Sequence, residues 1–229
     1  MPPSPDVVDY LEKDFLAAIN NDLIAVVKFH EGGIGGFHSV PREVFCYIDY
    51  ISVLRYALPN SSTKAIQFIE NYLGRTNVRY KHYGKLLFEM WRHGTVHEFD
   101  PKKLKHSSKK YSVGWQTNND SGKEERACHL ECFKVYGKND SFLLNVNLFQ
   151  LVDDFVRGVH ILISELKKAK RKCIECQRNY AEISRQLSVK ELPKKSERTK
   201  RSLNLQISRA VKAQRFEVQN GTVIGGKCS

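Results

Sequence analysis

Apolar residues recur at helical spacing through most of the first hundred positions. Over residues 6–30, Val8, Leu11, Phe15, Ile19, Leu23 and Val26 follow one another three or four apart, which predicts a first helix with one apolar face. The run Gly32-Gly33-Ile34-Gly35-Gly36 ends it as a turn; no Gly-Lys-Ser/Thr follows, so it does not read as a phosphate loop. Ser39 and Pro41 suit a helix start, and Val44, Phe45, Ile48, Ile51, Leu54 and Leu58 give the second helix its apolar face. Pro59 and the polar run Asn60-Ser61-Ser62-Thr63 break it. A third helix carrying Ala65, Ile66, Ile69, Tyr72 and Leu73 is expected to stop at Gly74. A fourth, from Arg79 to His93, buries Tyr83, Leu86, Leu87, Met90 and Trp91 before Gly94, Thr95 and Pro101 end it.

Between Tyr111 and Val146 the period changes to two. Residues 111–115, 128–136 and 142–146 read as strands, with polar turns at 117–125 and 137–141. From 148 to 188 the pattern becomes a heptad seam: Val152, Phe155, Val159, Leu162, Leu166, Ala169, Cys173, Cys176, Tyr180, Ile183 and Leu187 alternate steps of three and four. At ~1.5 Å per residue such a helix would be roughly 60 Å long. Short helices cannot cover that length, so part of the seam is expected to meet a partner or a second copy. Beyond Pro193 the pattern predicts a linker, then an amphipathic stretch with Leu203, Ile207, Ala210 and Val211. Asn220-Gly221 is the pairing that favours a two-residue hairpin turn. The reading is therefore mainly α: a helical bundle with a small antiparallel β insertion and one long C-terminal helix. Residues 1–100 form the bundle, 101–147 the β insertion, 148–188 the long helix completing the bundle, and 189–229 a basic tail with a short helix and a hairpin.

Charge adds a partner to this picture. The chain carries 37 Lys and Arg against 25 Asp and Glu, a formal net charge of +12 over 229 residues. Residues 167–216 hold sixteen of the basic residues and four of the acids, which leaves 21 of each to the rest of the chain. A local run of positive charge favours a polyanion through counterion release. RNA or another nucleic acid is the expected partner, contacted by Lys167, Lys168, Lys170, Arg171, Lys172, Lys194, Lys195, Lys200 and Arg201. The alternative for this stretch is a solubilising tail. No window reaches the ~18 consecutive apolar residues of a membrane span, so no membrane is expected. The acidic first fifteen residues lack a basic-then-apolar leader, which predicts a cytoplasmic location.

In a reducing compartment the six cysteines compete between metal and core roles. Cys173 and Cys176 fall on seam positions, where a thiol behaves as a small apolar side chain. Cys128-x3-Cys132, which encloses His129, falls in a segment that alternates like a strand. No metal and no cofactor are expected.

One constellation carries candidate chemistry. In Leu86-Leu87-Phe88-Glu89-Met90-Trp91-Arg92-His93-Gly94-Thr95-Val96-His97, four residues separate Arg92 from His97, and the polar His93 directly follows the arginine. This resembles the Arg-x4-His motif of the HEPN superfamily (higher eukaryotes and prokaryotes nucleotide-binding), where it sits on an apolar helix of a four-helix bundle. The resemblance covers the motif and the helical order around it, residues 6–100 and the helix from 148. It implies metal-independent RNA cleavage, or nucleotide and RNA binding in inactive members, with two protomers bringing their motifs into one cleft. By position, Arg92 would neutralise the scissile phosphate, His97 would act on the attacking 2′-hydroxyl or the leaving oxygen, and His93 would orient the phosphate or its partner. The chemistry is coherent, since imidazole transfers protons near neutral pH and a fixed cation stabilises charge developing on phosphorus. On an ideal helix five residues separate two side chains by ~140°, so Arg92 and His97 converge only where the helix ends or bends, as Gly94 and Thr95 allow. In the plainer reading, Arg92 pairs with Glu89 or Glu98.

Other candidates carry less. Asp153-Asp154 lie at a helix start, where carboxylates complement the dipole. Tyr111, Trp115, Phe133 and Tyr136, near Lys109, Lys110 and Lys134, form either a stacking platform for single-stranded bases or the apolar face of a sheet. Two functions follow: a HEPN-like RNA-binding protein or metal-independent endoribonuclease, a homodimer with a composite site and an antitoxin or regulator as a further partner; or a non-catalytic coiled-coil protein that binds nucleic acid through its basic tail.

Overall fold

In the computed structural model the described residues are 6–29, 38–59, 61–93, 103–105, 107, 112–118, 121–135, 140–184, 216–219 and 222–225. The chain divides into two units, residues 1–183 and 184–229.

The first helix, α1 (residues 7–29), buries Val7, Leu11, Phe15, Ile19, Leu23 and Val27. Its inward face is a strict four-residue repeat, and Val8 and Val26 are only half-buried beside it. An α-helix turns ~100° per residue, so each four-residue step overshoots by ~40°, and the stripe would drift ~200° from Val7 to Val27. Two π-turns, Leu11–Phe15 and Asn20–Ile24, remove that drift: Leu16 N–H bonds Leu11 C=O and Ala25 N–H bonds Asn20 C=O, five residues back in each case. The same winding aligns a second, outward stripe of Tyr10, Asp14, Ala18 and Asp22. Asp6 caps the helix, its carboxylate accepting from Val8 N–H at 2.7 Å.

Helix α2 (Ser39–Tyr56) buries Val44, Phe45, Ile48, Ile51 and Leu54 as expected, together with Asp49 and Ser52. It ends at Tyr56, so Leu58 lies beyond it and is exposed. Ser61 caps α3 (residues 62–76), which runs past Gly74 rather than stopping there. Gly74 keeps helical dihedrals, and its missing side chain leaves room for Lys81, whose Cγ lies 2.7 Å from where a Cβ would stand. Helix α4 (residues 79–93) buries Tyr80, Leu87, Met90 and Trp91, and its last segment, Phe88–His93, is again π-wound.

The sheet differs from expectation. Its order is β1 (Leu104–Lys105), β2 (Ser112–Asn118), β4 (Ser141–Asn147), β3 (Cys132–Lys134). The outer strands are antiparallel to their neighbours, but the central pair, β2 and β4, is parallel with Ser112 opposite Ser141 and Asn118 opposite Asn147. The insertion is thus mixed, not antiparallel. The chain between them is a crossover that includes a short helix α5 (Lys123–Ala127) and β3, and it returns β4 to run beside β2 in the same direction. The expected strand over 128–136 shrinks to Cys132–Lys134, because Leu130 takes a positive φ of 61° in the turn after α5.

β4 leads directly into α6 (Leu148–Lys168), where the Asn147 side chain caps by accepting from Gln150 N–H at 2.9 Å. The single helix expected over 148–188 is two helices. Ala169 breaks the α-conformation (φ −116°, ψ 89°), and α7 (Lys170–Ile183) follows; residues 185–188 lie outside the described ones. The break lays the second half of the seam on the chain's own bundle: Cys176 and Tyr180 are buried, the Tyr180 ring stacks on Tyr10 at 4.6 Å, and Asn179 donates to Leu54 C=O at 2.8 Å. This part of the seam is therefore covered by α1 and α2, with no need of a second copy.

In the second unit β5 (Phe216–Gln219) and β6 (Thr222–Gly225) pair antiparallel with Gln219 opposite Thr222, the expected hairpin about Asn220-Gly221. The expected glycine turn at 32–36 and the amphipathic stretch at 203–211 lie outside the described residues.

Candidate functional site

Arg92 lies at the end of the described part of α4, in its π-wound segment. Its Nε donates to Asp49 Oδ2 on α2, with 22% and 12% of the two side chains exposed. Two charges this far from water must be paired, and a guanidinium against a carboxylate is the strong form of that pairing. The described partner is Asp49, on another helix, and Glu98, one of the acids near Arg92 in sequence, lies outside the described residues. The signal for Asp49 was present: it is a carboxylate on a helix face otherwise made of Phe45, Ile48 and Ser52, where an acid requires a cation. The pair leaves the guanidinium incompletely used, since Nη1 is buried and has no hydrogen-bond partner among the described residues.

His93 follows on the helix backbone, and its side chain and the whole of His97 lie outside the described residues. Of the basic residues expected to meet nucleic acid, three are engaged by carboxylates: Lys167 with Glu12 at 2.5 Å, Lys172 with Glu165 at 3.1 Å and Arg171 with Glu175 at 3.1 Å. Lys168 and Lys170 are exposed, and Lys194, Lys195, Lys200 and Arg201 lie outside the described residues. Glu165 organises the α6–α7 break, accepting from Arg75 at 2.5 Å and from the Tyr72 hydroxyl at 3.3 Å as well as from Lys172. Burial opposes its ionisation, but the bonds from Lys172 and Arg75 win and hold its pKa below the usual value.

The buried histidine among the described residues belongs to the frame of the molecule. His129 is fully buried, and Asn147 N–H donates to its Nδ1 at 3.0 Å, which leaves the ring proton on Nε2, 2.9 Å from the Tyr80 hydroxyl. Asp154 Oδ2 lies 4.0 Å from the same nitrogen. Burial, reinforced by Arg79 and Arg126, drops the His129 pKa to about 3, and burial raises those of Tyr80 and Asp154. No substrate can reach this node. Asp153, the neighbouring acid, is held by Arg126 and Arg157, both at 3.0 Å, so Asp153-Asp154 do not form an open acidic pair.

The aromatic platform also separates. Trp115 and Leu144 are register partners facing the core, and the indole packs 5.1 Å from Trp91 and 5.3 Å from His38. Phe133 pairs with Leu143 on the opposite face and is 40% exposed. Tyr111, Tyr136, Lys109 and Lys110 lie outside the described residues.

Among the described residues no group of three His, Cys, Asp or Glu is placed to hold a metal ion, and no helix is long and apolar enough to cross a membrane. Comparison with family models, with curated proteins and with solved structures finds no match.

Proposed function

We propose that this chain is a HEPN-like RNA-binding protein acting as a metal-independent endoribonuclease. The observation that carries the reading is the state of Arg92: a cation fixed by Asp49 in the last described turn of a bundle helix, with 22% of its side chain exposed. A guanidinium preorganised in this way is what stabilisation of a phosphorane-like transition state asks for. In this reading His97 moves the proton, His93 orients the phosphate or its partner, and two protomers in a cytoplasmic homodimer supply the acid and the base. Lys167, Lys168, Lys170, Arg171, Lys172, Lys194, Lys195, Lys200 and Arg201 hold RNA phosphates, and a protein antitoxin or regulator is a further partner.

The test is incubation of the full chain with a mixed pool of single-stranded RNA in EDTA, beside the His97→Ala variant. Cleavage that survives chelation and is absent in the variant is expected. Cleavage that needs Mg²⁺, or is equal in both proteins, overturns the mechanism. The coiled-coil reading has lost its main argument, because Cys176 and Tyr180 are part of the chain's own core.

A further inference from the structure

An open groove of about 490 Å³ runs between α1 and α2, in the size range of small-ligand sites. Its walls are aromatic and mutually braced. Phe15 stacks on Tyr50 with centroids 5.7 Å apart and meets Tyr47 edge-on at 5.4 Å, while Tyr10 stands 6.4 Å from Tyr50. Outside the groove Tyr10 is stacked on Tyr180, and the Tyr47 hydroxyl donates to Asp22 at 2.5 Å, so the rings are held in place before any ligand arrives. Ala18 sits between them along the outward stripe of α1, and its methyl leaves the space open.

Two carboxylates, Asp14 and Glu43, line the same space. Glu43 lies 3.4 Å from Arg42 and keeps 42% of its side chain exposed. Cys46, also lining the groove, is one turn before Asp49, and i, i+3 side chains on a helix are ~5–6 Å apart at Cβ. The carboxylate that fixes Arg92 therefore adjoins the groove wall. Aromatic faces, paired acceptors and a neighbouring guanidinium match three parts of a nucleotide: base, base edge and phosphate. An ammonium ligand suits the site less well, because Arg42 and Arg92 place positive charge at its edge.

The geometry points to a guanine-binding site: a guanine of single-stranded RNA enters the groove between α1 and α2, stacks on the tyrosine rings and donates its N1–H and 2-amino hydrogens to Asp14 or Glu43, with its phosphate toward Arg92. Of the four bases only guanine offers two adjacent donors on one edge to the two oxygens of a carboxylate. Adenine and cytosine set an acceptor beside their amino group, and uracil flanks its single donor with two acceptors; a carboxylate repels both patterns. This inference rests on the RNA reading above and names the base it selects.

The test titrates the full chain with guanosine, adenosine, cytidine and uridine 5′-monophosphates, followed by calorimetry and by protection of Cys46 from iodoacetamide. Guanosine monophosphate should bind at least about tenfold tighter than the others, the discrimination of one good bidentate contact, and should slow Cys46 alkylation. Asp14→Asn or Glu43→Gln should erase the preference, and Ala18→Leu, which fills the groove, should abolish binding of all four. The two carboxylate variants change exposed or half-exposed positions and keep the test valid if Ala18→Leu fails to fold. Equal binding of the four nucleotides, binding without Cys46 protection, no binding, or a preference unmoved by both carboxylate variants overturns the site. The two readings fail separately: guanosine binding without RNA cleavage removes the nuclease and keeps the groove, while chelator-resistant cleavage without guanosine binding removes the groove alone.

Discussion

Asp49 and Arg92 lie 43 residues apart in sequence and join α2 to α4 through one carboxylate–guanidinium bond, at the edge of the core formed by Phe45, Ile48 and Trp91. Removing the acid strands a partly buried cation. Asp49→Ala should lower stability by about 2 kcal/mol, less than the 3–5 of a fully buried pair because both side chains retain some exposure. Urea denaturation measures it, and a loss below about 0.5 kcal/mol would mean that solvent compensates the arginine.

Acid should act on the fold through His129. Its folded pKa of about 3 lies below the ordinary value of 6.5, so between these values the unfolded chain binds a proton that the native state refuses. Stability is full above pH 6.5 and falls as the pH drops toward 3, by up to about 1.4 kcal/mol per pH unit. Asp154, raised by burial, works in the opposite direction, and Glu165, lowered, adds to the loss below its usual range. Replacing His129 by Gln should flatten the stability profile between pH 6.5 and 5, recorded by thermal melts. An unchanged slope would place the acid sensitivity elsewhere.

Much of this frame can be read from spacing. Each of the first four helices lies where apolar periodicity puts it, and β5 pairs with β6 as expected, because burial of a face and strand alternation are local properties. The rest depends on contacts far apart in sequence. The parallel pairing of β2 and β4 is a property of the crossover, not of either strand's alternation. The break at Ala169 is invisible because alanine is a strong helix former, and what turns the chain is the reward of seating Tyr180 on Tyr10. Asp49 was legible as an oddity within an apolar stripe, but its partner was not.

At Gly158, α6 packs against the Tyr72-Leu73 backbone of α3. A Cβ there would stand 3.0 Å from Leu73 Cδ1 and 3.6 Å from the Leu73 backbone nitrogen. Gly158→Val should therefore cost about 2–3 kcal/mol, as overpacking of a core does. A melting temperature within a degree or two of the parent would show that the helices can part freely.

Tyr180, 7% exposed, seats α7 on the bundle. Tyr180→Ala should cost about 3 kcal/mol, in the range of large-to-small core changes, and leave the oligomeric state by sedimentation unaltered. A change in assembly without loss of stability would reassign the seam to an interface between copies.

Deleting residues 190–229 removes Lys194, Lys195, Lys200 and Arg201. RNA affinity should fall, and the dependence of log K on log salt should flatten by about 0.7 per lost phosphate contact. An identical salt slope in both proteins would remove the tail from the interface.

The π-turns of α1 also govern what length changes the chain can absorb. Each is equivalent to one extra residue in an α-helix, so deleting a single residue within Leu11–Phe15 or Asn20–Ile24 can be taken up by reverting that turn to ordinary winding, with both flanking segments kept in register. The same deletion in Leu148–Lys168, which has no such slack, would rotate everything beyond it by ~100° and turn Val159, Leu162 and Leu166 out of the core. Two helices of comparable burial thus differ in their tolerance of single-codon deletions.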